Sequence, residues 1–453
     1  MAIELNAKKF RSQIKSCNNA LRTVLETVFA QKKPADRTLS GFFRENRQLG
    51  SRDRQFISES VYALLRHWGV LRRFLPEERR AELESGVIRI GRVELEALLF
   101  AALYLDGSNL PAADAIAKEL NIPWPKPKLD SPSPFLGKAD ALAAIFGVDV
   151  QFCDRDLLPN WVFDLLPADF PLERFLTDLL RRPPMWLRIQ TPDLDRLSTE
   201  LQACGSELRK VENIPNALGV VQPKVNLFTL ESFRRGEFEV QDLASQCIGL
   251  VAAPKPGERW LDACAGAGGK TLELAELMKR SGTVVACDVR SYKLDDLRVR
   301  ARRAGFPNIV TREWDGKPFK GKQAGLYDGV LVDSPCSCSG VWRRNPDGRW
   351  MLAPKDIFEM ATLQQKILEA ALSAVRPGGV LIYATCSLFP QENGEVVKNF
   401  LSNHAEFQLE KFAHPLTGKI CDGTLQIYSF DGDCDSMFVA RMRRSAEESN
   451  EAV

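Results

Sequence analysis

The sequence predicts a multidomain protein: an all-helical N-terminal domain, a small α+β unit, and a C-terminal doubly wound α/β domain closed by an antiparallel hairpin. Three observations carry this. Apolar residues near the N-terminus recur at helical spacing. From about Gly236 onward, short apolar runs alternate with helical stretches. Near the end, two apolar runs flank a turn at Asp431-Gly432.

Phe10, Ile14, Cys17, Leu21, Val24 and Val28 step by four and three and share one helical face. Further helices are expected over Arg52–Arg66 and Val93–Leu105, giving a helical domain over 1–121. From Met1 to Leu75 there are 15 Lys and Arg against 6 Asp and Glu. Arg44, Arg47, Arg52 and Arg54 cluster around Asn46–Ser51, which reads equally as a solvated loop or a phosphate-binding patch. Ile122–Pro134 holds five prolines in thirteen residues, so no continuous helix or central strand survives there. It reads as a linker over 122–150 and a domain boundary. Strands at Met185–Gln190 and Ala217–Val221 and a helix at Leu194–Cys204 suggest a small α+β unit over 151–235.

In the C-terminal domain, 236–445, strands are expected at Arg259–Ala263, Thr283–Asp288, Asn308–Trp314, Gly329–Asp333 and Gly379–Thr385. Helices are expected at Lys270–Arg280 and Lys355–Val375. Leu425–Phe430 and Met437–Met442 form the closing hairpin, the way class I methyltransferases end. Ser445–Val453 is polar and expected to fray.

The composition is globular, with 45% hydrophobic and 26% charged residues, which excludes chain-wide disorder and fibrous classes. No uncharged apolar run reaches the roughly 18 residues of a membrane span. The opening MAIELNAKKF has no signal-peptide core, and eleven scattered cysteines do not suggest a disulfide framework. A cytoplasmic protein without a membrane partner is expected.

Cys264, Ala265, Gly266, Ala267, Gly268, Gly269 and Lys270 follow the first strand and open a helix. A phosphate-binding Walker loop needs glycine where Cys264 stands, and a dinucleotide fingerprint needs glycine where Thr271 stands. A nucleoside-type cofactor at the strand tips remains, with Asp288 at the next strand end placed to hold ribose hydroxyls. Both NAD and S-adenosyl-L-methionine need such an acid, so Asp288 alone does not choose.

Cys336 and Cys386 lie just beyond the fourth and fifth strands, each in a Ser-containing turn. Such edges are where open α/β sheets bind ligands. Metal is not expected, because Cys336-x-Cys338 has the wrong spacing for a zinc knuckle and no histidine lies near in sequence. A thiol beside a methyl donor suits cytosine C5 chemistry. A thiolate adding to C6 turns C5 into an enamine carbon able to take a methyl group. A depressed thiol pKa is expected for that attack. Asp333, three residues before Cys336, is placed to stabilise charge developing near N3.

The motifs LDACAGAGGKT, ACD at 286–288, Asp315, DSPCSCSG and ATCSLFPQENGEVV, with FRRGEFEVQDLASQ at 233–246, resemble the Nop/Sun-type RNA cytosine-5 methyltransferases over about 155–445. The resemblance implies that Cys386 is the nucleophile and that Cys336 assists product release. It further implies that Cys264–Lys270, Asp288, Asp315 and Asp333 contact S-adenosyl-L-methionine. The family usually has Ala-Pro where Gly266-Ala267 stands, a change expected to loosen the loop. FFRENRQLGSRDRQFISESVYALLRH resembles a NusB-like RNA-binding domain, typical of the Sun-type branch acting on 16S ribosomal RNA. The resemblance makes 151–235 an RRM-like subdomain. Arg343, Arg344 and Arg349 are read either as lining the RNA path or as a solvated loop. RNA is thus the expected partner, ribosomal before transfer RNA, and the chain is expected to be a monomer. A non-catalytic RNA-binding assembly factor and an NAD-linked oxidoreductase are the other classes. The intact Cys336, Cys386 and Asp333 count against the first, and the missing third glycine against the second.

Overall fold

A computed structural model describes residues 7–84, 89–128, 130–221, 223 and 225–446. It forms two units.

One unit comprises the described residues of Met1–Asp164, with Phe170–Arg182 and Trp342–Ala353. The helix Ala7–Gln31 buries Phe10, Ile14, Cys17, Leu21, Val24 and Val28, the predicted face. It packs with Ser51–Leu71 and Arg92–Asp106. The proline-rich stretch is no domain boundary. Trp124 stacks edge-on against Tyr104, whose hydroxyl donates to the Pro125 carbonyl at 3.2 Å. The chain then re-enters the same unit as the helix Pro134–Phe146. The prolines stiffen a surface crossing that the aromatic side chains tie down.

Arg343 and Arg349 correct the sequence reading. They are 2% and 0% exposed, in a segment belonging to this unit. Arg343 donates to the Arg181 and Arg182 carbonyls, and Arg349 to those of Leu157 and Pro346. Burial, then the charge of Arg66, pushes the Arg349 guanidinium down to about 9. Guanidiniums spent on backbone carbonyls inside a unit cannot line an RNA path. Arg344 is half-buried.

The other unit comprises Leu165–Asp169, Pro183–Val341 and the described residues of Pro354–Val453. Strands β1 (Met185–Ile189), β2 (Glu207–Lys210), β3 (Ala217–Val221) and β4 (Phe238–Val240) form an antiparallel sheet in the order β2-β3-β1-β4. The helices Leu194–Ala203 and Glu231–Arg234 complete the βαββαβ order of a ferredoxin-like split. The sheet includes β4, so this unit extends past the boundary expected at 235. Leu187, Ile189, Leu218 and Val220 pack with Leu197 and Leu201. Trp186 and Ala217 pack instead in the core of Leu243, Ala244 and Cys247. Both faces of this sheet are thus packed.

The main sheet contains β5 (Arg259–Asp262), β6 (Thr283–Asp288), β7 (Ile309–Glu313), β8 (Tyr327–Asp333) and β9 (Val375–Thr385), all parallel. It continues through β10 (Phe407–Leu409), while β11 (Phe412–Ala413) and β12 (Ile420–Cys421) pair separately. Strands β13 (Thr424–Ile427) and β14 (Met437–Arg444) form the predicted antiparallel hairpin, and β14 docks antiparallel on β9. The path runs β10-β14-β9-β8-β5-β6-β7. The hairpin turn differs from expectation. Ser429–Gly432 forms a helical turn, and Asp433 rather than a glycine takes the left-handed conformation, with φ 52°. Its side chain pairs with Arg209 and its carbonyl accepts from the Trp186 indole.

Buried β-branched and leucine side chains on both faces of the parallel strands build two cores, one around Val284, Leu331 and Ile382, the other around Leu261, Val330 and Leu381. Chain order reverses between β5 and β8. That switch point opens a crevice at the carboxyl ends of the strands. Among the described residues, no helix is long and apolar enough to cross a membrane.

Candidate active site and cofactor cradle

Every motif that the sequence placed on a strand end in this domain lies along one edge of the sheet. The loop after β5 turns through Gly266 at φ 53° and Gly268 at φ 87°. At Gly268 a β-carbon would lie 2.5 Å from Leu297, so glycine lets the loop settle on the helix Ser291–Ala304. At Gly266 and Gly269 a β-carbon would meet nothing within 4 Å, leaving open space above the loop. Ala265 donates to the Cys287 carbonyl at 2.8 Å, and Arg300 donates to the Ala267 carbonyl at 2.6 Å. The loop expected to be loose is therefore anchored at both of those residues.

Asp288, at the tip of β6, accepts from the Gly266 amide at 2.9 Å and from the Arg290 backbone and side chain. Burial pushes this carboxyl up, but the hydrogen bonds from Arg290 and Gly266 outweigh it and hold the carboxyl below its usual range. It is therefore ionised at neutral pH and suited to accept from hydroxyls. Asp315 is exposed and pairs with Lys317 at 2.5 Å, beside the groove formed by Val289, Trp314 and Pro318. Burial pushes the Cys264 thiol well up.

Lys270, in the first turn of the helix Gly269–Leu277, reaches across the switch point to Asp333 at 2.7 Å. Asp262, under the loop, accepts from the Thr271 hydroxyl at 2.6 Å. Burial raises the Asp262 carboxyl to about 7, against the lowering effect of Thr271. An unfolded aspartate titrates near ~3.9. Between those values the folded chain keeps a proton that the unfolded chain has lost, so stability falls as pH rises from about 4 to about 7. Asp262→Asn is expected to remove that slope. The variant should match the wild type near pH 4 and exceed it at pH 8 by on the order of 4 kcal/mol. Urea midpoints measured across this range check it, and parallel pH profiles for both proteins would refute it.

The thiols of Cys336 and Cys386 face each other, with Sγ–Sγ 3.3 Å. A network of small polar residues fixes both turns. Glu392 accepts from the Ser337 amide at 2.8 Å, from Gln364 at 2.9 Å and from the Ser387 hydroxyl. Leu388 donates its amide to the Ser339 hydroxyl, and Gly340 donates to the Cys386 carbonyl. A β-carbon on Gly340 would lie 2.1 Å from the Ser436 carbonyl oxygen, so the Cys336 turn can seat against the end of the hairpin only with glycine there. One buried carboxylate thus clamps the Cys336 and Cys386 loops together.

Two features escaped sequence reasoning. Glu392 is the first. Its signal was present in the serines flanking each cysteine, which need an acceptor once buried. Cys338 is the second. All three sulfurs of Cys336, Cys338 and Cys386 lie within 4.8 Å of one another. The three thiols titrate as one coupled set, in which the low position falls on Cys338. Hydrogen bonds from Cys336 and Cys386 hold Cys338 low, to about 4. Hydrogen bonds to Cys338 and Cys386, then burial, push Cys336 up, and the charges of those two sulfurs add to this. For Cys386, the bond with Cys336 lowers the thiol, but Cys338 and burial raise it further. Three thiols at this spacing lose one proton readily and the next with difficulty.

Arg44, Arg47 and Arg52 are exposed in the helical unit, at the end of the helix Ala35–Glu45, in the following turn and at the start of the helix Ser51–Leu71. Arg54 is partly buried, donates to the Leu49 carbonyl and lies over the Phe43 ring at 5.6 Å.

A parallel sheet that ends in an antiparallel hairpin, with its ligand crevice at the β5–β8 reversal and no dinucleotide fingerprint, is a class I, Rossmann-like methyltransferase fold. Residues 249–443 match the family described as 16S rRNA methyltransferase RsmB/F. Ribosomal RNA small subunit methyltransferase B of Pasteurella multocida is 33% identical over 298 residues, 64% of this chain and 65% of that protein. The protein of the same name from Sodalis glossinidius is 32% identical over 297 residues, 65% of this chain and 67% of the other. The chain belongs to the RsmB/F family. The match takes in about two thirds of the length of these relatives. Among solved structures, PH0851 superposes with TM-score 0.71 at 24% identity, covering 94% of this chain and 99% of that one. NSun6 from Pyrococcus horikoshii with SFG gives 0.54 at 19%, covering 64% and 99%. These two share the fold.

The methyl donor of this family is S-adenosyl-L-methionine, and the strand tips fit it. The ionised Asp288 suits a ribose, the open space over Gly266 and Gly269 admits a ligand against the backbone, and Asp333 supplies an acceptor for a cationic group. Asp288→Asn keeps the shape but loses the charge and one acceptor. It is expected to weaken S-adenosyl-L-methionine binding by roughly 10- to 100-fold. Calorimetric titration tests this, and unchanged affinity would remove Asp288 from the cofactor site.

Proposed function

We propose that the protein transfers a methyl group from S-adenosyl-L-methionine to C5 of a cytosine in RNA, with 16S ribosomal RNA as substrate. The observation that carries this reading is the facing pair of thiols, Cys336 and Cys386, at the tips of adjacent strands beside the cofactor loop. A fold that needed only a cofactor would not require two clamped thiols there.

In this reading Cys386 is the nucleophile. Its thiolate adds to C6, and the ring electrons move so that C5 becomes a nucleophilic enamine carbon. S-adenosyl-L-methionine, when bound, supplies the electrophilic methyl group that C5 takes up. Cys336 then removes the C5 proton, the C5–C6 double bond re-forms and the sulfur of Cys386 leaves. Lys270 is partly buried within the field of Cys386, and its positive charge favours the thiolate. Asp333 accepts from the N4 amino group on the N3 side of the ring. A base must leave its stack to meet Cys386, at an unstacking cost of a few kcal/mol. The helical unit, read as NusB-like, grips phosphates through Arg44, Arg47 and Arg52. The small sheet cannot stack bases on a free face, since both its faces are packed, so its part is to support the catalytic core.

The test is transfer of labelled methyl from S-adenosyl-L-methionine to protein-free 16S ribosomal RNA and to transfer RNA, with nucleoside analysis of the product. Label recovered as 5-methylcytosine from ribosomal RNA is the expected result. Label on another base would end the cytosine-5 reading, and label on transfer RNA alone would replace the substrate.

A further inference from the structure

We propose that Cys336, Cys338 and Cys386 together bind one thiophilic metal ion of the zinc class, and that its binding shuts the methyl-transfer site. This goes beyond the transfer reaction, which uses two thiols and leaves the third without a task. The spacing Cys336-x-Cys338 alone argues against a metal, but the fold brings in the third sulfur from the turn after β9. The pair Cys336–Cys386 is 3.3 Å apart, and all three sulfurs fall within 4.8 Å. Thiolates about 2.3 Å from a tetrahedral zinc ion lie ~3.8 Å from each other. The observed spread brackets that value, so a central ion needs only small side-chain shifts. Three protein ligands leave a fourth position for water, and soft thiolates select zinc or cuprous ions over magnesium or calcium.

The placement of Cys338 supports this role. Its backbone is left-handed, φ 56°, a conformation that a side-chain-bearing residue adopts infrequently. Cys338 is also exposed, whereas Cys336 and Cys386 are partly buried, so it gives an incoming ion a first ligand at the surface. Binding converts three thiols to thiolates and releases up to three protons to solvent. With its lone pairs on the metal, the sulfur of Cys386 cannot add to C6.

The experiment uses the full chain, stripped with a chelator and kept reduced with a phosphine so that no disulfide forms. Cobalt(II) is titrated in and read by sulfur-to-cobalt charge-transfer absorption. The expected result is one cobalt per chain, displaced by zinc. Cys338→Ser should weaken binding by at least roughly 10- to 100-fold, while Cys153→Ser, an exposed cysteine elsewhere, should leave it unchanged. Zinc should stop methyl transfer by the wild type, a chelator should restore it, and Cys338→Ser should resist. Absence of a thiolate band, equal binding by Cys338→Ser, or full activity of the zinc-loaded wild type would each overturn the proposal. The absorption needs no RNA and no turnover, so failure of the methyl-transfer reading would not hide the answer.

Discussion

Cys386→Ala is expected to abolish methyl transfer, lowering single-turnover label incorporation by at least about 10⁴-fold. C5 of cytosine gains electron density only while sulfur is bonded to C6, and no other thiol can substitute without moving. Cys336 sits on a separate turn, pinned by the Glu392 network. The loss should be confined to chemistry. Cys386 is only partly buried, so removal of its sulfur opens no deep cavity. Affinity for S-adenosyl-L-methionine and for RNA should stay within about twofold of wild type. Cys386→Ser should be equally inert, because a hydroxyl is a far weaker nucleophile near neutral pH than a thiolate. Retained transfer in either variant would show that Cys386 is not the attacking group. A drop in cofactor affinity instead of rate would make it part of the cradle.

The parallel strands and the cofactor loop were legible because they are written locally. Apolar runs such as Thr283–Asp288 coincide with β6 residue for residue, and loop glycines mark the turn wherever the rest of the chain lies. What was missed depends on partners distant in sequence. Arg343 and Arg349 look like a solvated basic loop until the carbonyls of Leu157, Arg181 and Arg182 are brought to them. The prolines of 122–134 look like a linker because nothing local shows Trp124 docking on Tyr104. The spacing rule sets Cys338 aside because it counts neighbours along the chain, while its second partner, Cys386, lies in the turn after β9. Glu392 is the instructive case. It touches neither strand tip in sequence, yet it satisfies one group from each cysteine turn. A buried cluster of serines in two separate motifs implies a shared acceptor, and that inference was available in principle.

Cys336→Ala is expected to trap a covalent protein–RNA adduct, seen as a slower band that survives denaturation and disappears on ribonuclease digestion. The two sulfurs, 3.3 Å apart, make one step depend on the other. Removal of Cys336 leaves Cys386 free to add to C6 and C5 free to accept the methyl group. What fails is departure: with the C5 proton in place, the electron pair that would re-form the double bond and expel sulfur is not released. The adduct should therefore accumulate to a large fraction of the enzyme, carry one methyl label per chain, and be absent from the Cys336→Ala, Cys386→Ala double variant. The same experiment separates the two thiols. An adduct from Cys386→Ala, and none from Cys336→Ala, would make the β8 thiol the nucleophile, and the roles would exchange without any change in fold. An adduct from neither, with transfer intact in Cys336→Ala, would mean that water or another base takes the proton. In that case the close approach of Cys336 to Cys386 would have to be explained by the metal site and not by the reaction.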